Sequence, residues 1–279
     1  MLNDMKTILQ LLCLFDNIFF ILGVCLYYEE FGNDHTMCKY SNESTCALEK
    51  DLTEDQKKVI LDTHNDYRQK IANGSEANFP KAANMMELAW DYELEEIAQR
   101  WANQCDFSLS ADRRSFKYPN GAGQSGFGSS APNDERRDIS KTAVTSWFRE
   151  RQFFKEADID PFKGTPGYPT RHFSQLIWAT TESVGCGYSK FKTDWYQWVL
   201  MCNYGPTGNE EGKNVYEKGE PCSKCEHGCS KRYPSLCLEM KKEKTFMKRG
   251  SPAVNVNMVA LNVTHPYAII QMLTKLMVC

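Results

Sequence analysis

The feature that most constrains this chain is the number and spacing of its cysteines, twelve in 279 residues. That many thiols fit an oxidising compartment, where bridges form and persist. One pair also fixes a local geometry. Ser183 to Phe191 and Trp195 to Tyr204 are β-like runs joined by Lys192-Thr193-Asp194, which reads as a hairpin. Cys186 and Cys202 lie eight residues on either side of Asp194. A turn centred there sets them opposite each other, and a cross-strand disulfide becomes geometrically allowed. A second group, Cys222, Cys225, Cys229 and Cys237, crowds a short segment after the composition shifts at Asn209 towards Gly, Glu and Lys.

The N-terminus supports the same compartment. Lys6 precedes an apolar run, Ile8 to Phe15, and a second run spans Ile18 to Val24. Asp16 and Asn17 interrupt them, whereas a spanning helix wants about 20 consecutive apolar residues. The segment 1–23 is therefore predicted to be an export signal cut near Gly23, carrying Cys13 away with it, and the mature chain to hold no stable membrane span. Asn42-Glu43-Ser44, Asn73-Gly74-Ser75 and Asn262-Val263-Thr264 are glycosylation sequons at Asn42, Asn73 and Asn262. A net charge of −3 lacks the basic surplus of a nucleic-acid binder.

Residues 24–50 are polar, cysteine-bearing and without helical period, and read as an extended arm held by disulfides. Thr53-Glu54-Asp55-Gln56 has the form of a capping box, and Ile60, His64, Tyr67 and Ile71 follow at helical spacing up to Asn73-Gly74. A further helix opens at Asp91 and buries Leu94, Ile97, Ala98 and Trp101. Another runs from about Asp138 to Phe153 and buries Ile139, Val144, Trp147 and Phe148. The Gly/Ser-rich stretch Asn120 to Ser130 between them reads as loop. The chain shows no internal repeat. From Leu238 it is basic, then weakly apolar. The stripe Tyr267 to Val278 contains Gln271 and Lys275 and is short, so segment 241–279 reads as a poorly ordered tail rather than a membrane contact.

Several blocks together resemble the CAP superfamily of cysteine-rich secretory, antigen 5 and pathogenesis-related proteins. Arg171-His172-Phe173-Ser174-Gln175-Leu176-Ile177-Trp178-Ala179-Thr180 is similar to the first family signature, and Val199 to Asn209 to the second. His64-Asn65-Asp66-Tyr67-Arg68, Ala83-Asn84-Met85 and Trp101-Ala102-Asn103-Gln104-Cys105 match further blocks, so the resemblance covers roughly residues 35 to 240. Within it, His35-Thr36-Met37-Cys38-Lys39-Tyr40 followed by Cys46 resembles the arm of insect venom allergen 5. The resemblance implies an α+β fold, a three-layer α–β–α sandwich with a central antiparallel sheet. It also implies a disulfide-bonded arm before a CAP domain over 51–209, and a short cysteine-rich hinge over 210–240. It implies bridges Cys46–Cys105 and Cys186–Cys202 and leaves Cys25 as the partner of Cys38. In the hinge it implies Cys222–Cys229 and Cys225–Cys237, with Cys279 left odd, free or intermolecular.

Many family members carry a solvent-facing cleft with two His and two Glu, a set suited to a divalent metal. By position, one His matches His172, and the Glu of the Trp147-Phe148-Arg149-Glu150 block matches Glu150. The second Glu falls in a Gly-Glu-Asn block that reads Gly123-Gln124-Ser125 here, so Gln124 replaces the acid. The second His, four positions after Cys105, is replaced by Leu109. Gln124 is a poor ligand and Leu109 offers no lone pair, whereas zinc sites take at least three protein ligands. The expectation is no metal, no cofactor and no catalytic residue, with His172 and Glu150 bonded to each other and to the cleft wall. His64 reads as a satisfied core residue. Ser174 is too close in sequence to His172 for a nucleophile–base pair, and no acid is placed to orient the imidazole.

The resemblance implies a secreted, non-enzymatic binding protein of venom, saliva or extracellular fluid. Its partners would be a lipid, sterol or other small ligand, or a host or tissue protein, and no nucleic acid. The alternative is a metal-dependent protease using Glu150 as base and His172 as ligand or acid. A channel-modulating toxin would need a further cysteine-rich domain, and only Cys279 follows Cys237.

Overall fold

Each long helix begins at a side chain that satisfies the first free backbone amides. The computed structural model describes residues 25–238 apart from 111, 135–137, 165, 166 and 168. Its elements run α1 (Thr36–Lys39), β1 (Ala47–Lys50), α2 (Glu54–Ala72), β2 (Ala89–Trp90), α3 (Tyr92–Ala102), β3 (Gly123–Ala131), α4 (Ile139–Arg149), α5 (Arg171–Leu176), β4 (Ser183–Lys192) and β5 (Tyr196–Gly205). Thr53 and Gln56 form the expected capping box at α2. Asp91 accepts from Glu93 and Leu94 at α3, and Asp138 from Ser140 at α4. The export signal, Cys13, Asn262, Cys279 and the tail after residue 238 lie outside the described residues.

The strands form one sheet in the order β1-β4-β5-β3, antiparallel along that path, with β2 parallel to β4. Cys186 stands opposite Cys202, the register that the hairpin spacing requires. Alternation along β4 and β5 then sorts their side chains to two faces. Val184, Cys186, Tyr188, Trp198, Leu200, Cys202 and Tyr204 join the main core with Ile60 and Ile71 of α2, Val144, Trp147 and Phe148 of α4, and Phe173 and Leu176 of α5. Phe191, Val199 and Met201 face the other way, against Trp101 and Ala102 of α3. Burial on both faces explains why the two strands read as almost unbroken apolar runs. Gly187 lets α3 rest directly on β4, because a Cβ there would strike the backbone of Ala98 and Gln99.

Two expectations fail here. The stretch Asn120 to Ser130 is not all loop, because Gly123 to Ala131 pair residue by residue with Tyr204 to Tyr196. Its glycines signal a turn, but the neighbours supply the missing volume. A Cβ on Gly128 would meet the Phe107 ring, and one on Gly126 the Met201 side chain. The arm is also not simply extended. It contains a 3-10 turn (Glu29–Phe31), α1 capped by His35, and β1 on the sheet edge. The helix expected from Asp138 to Phe153 is helical throughout, but its last turn, Glu150–Phe153, tightens to 3-10.

Disulfides join Cys25 to Cys38, Cys46 to Cys105, Cys186 to Cys202, Cys222 to Cys229, and Cys225 to Cys237. Residues 210–238 pack into the main core through Val215, Tyr216, Tyr233 and Leu236. Cys237 exchanges backbone bonds with Met85 and Glu87.

The loop between α5 and β4 is held by a buried cation. Arg68 is fully buried and donates to five carbonyls, those of Met86, Leu176, Trp178, Ala179 and Thr181, at 2.8 to 3.2 Å. Burial lowers its pKa to about 9, still protonated at neutral pH. Asn65, one turn earlier, exchanges bonds with the backbone of Leu88. The His64–Arg68 motif of α2 thus fixes where α5 ends and where β4 begins.

Candidate functional site

The cleft residues are set by α4, α5 and β3. The 3-10 turn that ends α4 brings the Glu150 carboxylate to the start of α5, whose own N-cap residue, Thr170, makes no side-chain cap bond. Glu150 Oε2 accepts from the backbone N–H groups of His172 and Phe173, each at 3.1 Å. Glu150 Oε1 lies 2.6 Å from His172 Nδ1. A carboxylate only accepts, so Nδ1 carries the proton and the Nε2 edge is what His172 offers outward. The Glu150 side chain is 12% exposed and that of His172 35%. Glu150 is therefore a helix cap as much as a cleft acid, a role that sequence matching alone does not suggest.

Trp147 ties this pair to the sheet. Its Nε1 donates to the Gly126 carbonyl at 3.1 Å, and its ring stacks on His172 with centroids 6.2 Å apart. Leu109 approaches the same point of β3, since its Cδ2 lies 4.0 Å from where a Cβ on Gly126 would stand. Leu109 is half exposed and presents only methyl groups.

Gln124, two residues before Gly126, is buried and fully engaged. Its Oε1 accepts from the Ser110 N–H at 2.8 Å, and its Nε2 donates to Asn203 Oδ1 at 2.7 Å and Ser110 Oγ at 3.1 Å. Asn203 in turn donates to the Leu94 carbonyl of α3. Ser110 and Asn203 were not singled out from the sequence. The signal for Asn203 is a polar residue inside the apolar run Val199 to Tyr204, which demands a buried partner.

The donor set does not fit a divalent metal. Gln124 is spent on neutral hydrogen bonds, Leu109 has no lone pair, and Glu150 caps a helix, which leaves His172 with a free ring edge. Among the described residues no three or more His, Cys, Asp or Glu side chains are grouped to hold a metal ion. Ser174 Oγ lies 2.6 Å from Asn209 Oδ1 and 3.0 Å from the Thr170 carbonyl, so its hydroxyl is turned away from nucleophile duty on His172. His64 is fully buried, with Nδ1 at 2.8 Å from the Ile60 carbonyl and Nε2 at 2.9 Å from the Tyr204 hydroxyl. Burial pushes its pKa down to about 4.

A separate cavity of about 420 Å³ opens where the C-terminal ends of α2 and α4 meet. Phe79 and Phe154 line it together with Glu76, Arg149, Arg151 and Gln152. Arg151 pairs with Glu76, while Arg149 stands exposed at its edge. Among the described residues no helix is long and apolar enough to cross a membrane.

Residues 61–204 match the Cysteine-rich secretory protein family, CAP. Scoloptoxin SSD43 of Scolopendra dehaani is 40% identical over 191 residues, covering 68% of this chain and 87% of that protein. Venom allergen 5 of Vespula flavopilosa is 37% identical over 200 residues, covering 67% and 94%. The chain spans about half the length of a longer relative, CRISP/Allergen/PR-1 of Trittame loki, at 36% identity, 73% of this chain and 51% of that one. Among solved structures, a crystal structure of NaASP2 with Zn2+ superposes with a TM-score of 0.56 at 33% identity, covering 67% of this chain and 96% of the other.

Proposed function

The chain belongs to the Cysteine-rich secretory protein (CAP) family, and from that membership we propose that it is a secreted, non-enzymatic protein of the venom allergen 5 kind that acts by binding. The observation that carries this reading is the state of the cleft. Glu150 is occupied by two backbone amides and an imidazole, Gln124 by Ser110 and Asn203, and Leu109 is apolar. Metal-assisted hydrolysis needs at least three protein ligands and an open position for the reacting water. The zinc of NaASP2 belongs to that protein, and of the four cleft residues here His172 is the one that keeps a free ring edge.

One cavity supports the binding reading. The cavity between Phe79, Phe154 and the two arginines combines an aromatic floor with a guanidinium rim. That chemistry suits a small amphipathic anion such as a fatty acid, whose tail covers the rings while its head group meets Arg149. The five disulfides among the described residues suit an extracellular setting, where each typically contributes about 2–4 kcal/mol.

Native mass spectrometry of the secreted protein, before and after lipid extraction, tests the reading. The expected result is a stripped protein that takes up one fatty acid per chain, with weaker uptake in Arg149→Gln. A protein that carries no adduct, takes up none, and turns over a peptide substrate contradicts it.

A further inference from the structure

The N-terminal arm carries a histidine that the cleft does not use. His35 is completely buried. Its ring stacks on Tyr28 with centroids 4.8 Å apart and lies 5.4 Å from Phe31, and both rings pack on Phe116. Its two nitrogens have fixed and opposite jobs. Nδ1 accepts from the Met37 backbone N–H at 3.2 Å and so caps α1. Nε2 lies 2.9 Å from the Arg114 carbonyl, which can only accept, so Nε2 carries the single proton. The neutral imidazole satisfies both contacts. A second proton on Nδ1 would face the Met37 N–H and remove the cap.

From this geometry we propose that His35 makes the arm a proton-gated clasp, docked on the 112–118 loop and α3 at neutral pH and released when the imidazole is protonated. The arm's other contacts with that surface are hydrogen bonds and ring contacts, among them Thr36 Oγ1 to the Asp112 carbonyl, Arg114 Nη2 to the Phe31 carbonyl, Tyr27 against Phe116 and Tyr40 against Trp101. Thr36 N–H donates to the Asp112 carbonyl at 3.1 Å, Arg100 Nη1 to the Met37 and Tyr40 carbonyls at 2.9 and 3.3 Å, and Tyr28 to Glu93 at 3.0 Å. The Cys46–Cys105 bridge keeps the released arm attached to the domain.

The charges around His35 come from three elements. The loop supplies Asp112, whose Oδ1 is 3.9 Å from Nε2, and Arg114. Helix α3 supplies Arg100, Glu96 and Glu93. The arm supplies Glu29, Glu30, Asp34 and Lys39. Burial, the dominant influence, and the two arginines oppose the imidazolium, whereas the hydrogen bond to the Arg114 carbonyl and Asp112 favour it, and the balance lowers the pKa from its ordinary value near 6.5. A histidine held neutral in the docked state stabilises docking above that value, and the stabilisation is lost as pH falls towards the docked pKa. Release uncovers the buried Tyr28 ring and the covered parts of Phe31 and Phe116, which enlarges an aromatic patch under acidic conditions.

Hydrogen exchange of the full secreted chain, corrected for intrinsic rate and read between pH 7.5 and 5, tests the clasp. Protection of amides 26–40 is expected to fall up to about tenfold per pH unit below about 6.5, while amides 95–102 and 198–204 keep theirs. In His35→Asn, which retains a capping oxygen and cannot titrate, arm protection is expected to be flat with pH. Constant arm protection in the wild type, simultaneous loss across the core, or an unchanged pH response in His35→Asn overturns the proposal. If His35→Asn leaves the arm unprotected throughout, the wild-type His35 ring titration followed by NMR decides. A midpoint that coincides with arm release supports the clasp, and one displaced from it overturns it.

Discussion

Replacing Gln124 by glutamate introduces the acid that the family resemblance implies at this position, and the structure says that the protein loses stability by it. Gln124 Nε2 donates at 2.7 Å to Asn203 Oδ1 and at 3.1 Å to Ser110 Oγ. An ionised carboxylate donates nothing. Each lost bond costs about 0.5–1.5 kcal/mol, and the buried Asn203 oxygen left without a donor adds about 1–3 kcal/mol. A total of about 2–6 kcal/mol lowers the melting temperature of a domain this size by about 4–24 °C. The loss has a definite pH dependence. Burial raises the folded pKa of the new carboxyl above its unfolded value of about 4.3. Protonated, it regains an O–H donor for Asn203 and imitates glutamine. The deficit is therefore small near the unfolded pKa and grows as pH rises through the folded one. Urea unfolding of Gln124→Glu and wild type, compared at pH 5 and pH 8, reads this directly. Equal stability at pH 8, or a larger deficit at pH 5, refutes the claim that Gln124 is a committed structural residue.

Other consequences follow from single contacts. Gly187→Ala drives a Cβ into the α3 backbone and should cost more than about 3 kcal/mol, whereas Gly128→Ala meets only the half-exposed Phe107 ring and should cost under about 1 kcal/mol. Denaturation midpoints of the two variants check the contrast. Arg68→Met removes the guanidinium from five carbonyls, of which those of Trp178 and Ala179 keep a backbone N–H from Thr181 and Met86, and should destabilise by about 3–5 kcal/mol, visible as loss of secreted yield and lowered melting temperature. His64, held neutral down to about pH 4, stabilises the fold above about 6.5 and should withdraw about 3 kcal/mol as pH falls to 4. Unfolding free energies of wild type and His64→Gln across that range should converge in slope if another group is responsible.

How much of this was legible beforehand depended on whether a residue's role is local. The capping box at Thr53 and Gln56 and the opposed cysteines 186 and 202 are set by near neighbours or by a turn, and both stand in the structure as read. Strand β3 was not legible, because its Gly and Ser residues carry a turn signal. Its true determinants, Phe107, Met201 and the β5 edge, are distant in sequence. The cleft was half legible. Matching to relatives located Glu150, His172, Gln124 and Leu109, but the work each does depends on Ser110, Asn203, Trp147 and the amides that start α5. The reading of the arm as extended fails for a related reason: α1 is too short to show a period and exists because His35 caps it and Asp112 and Arg100 hold it.

Whether the cleft holds a metal decides between binding and metal-assisted hydrolysis. Equilibrium dialysis of the secreted wild-type protein and His172→Ala against zinc, read by elemental analysis, measures it directly. The donor set predicts no stoichiometric zinc in either protein. One zinc per wild-type chain, lost in His172→Ala, would contradict the account and return the cleft to metal-assisted chemistry.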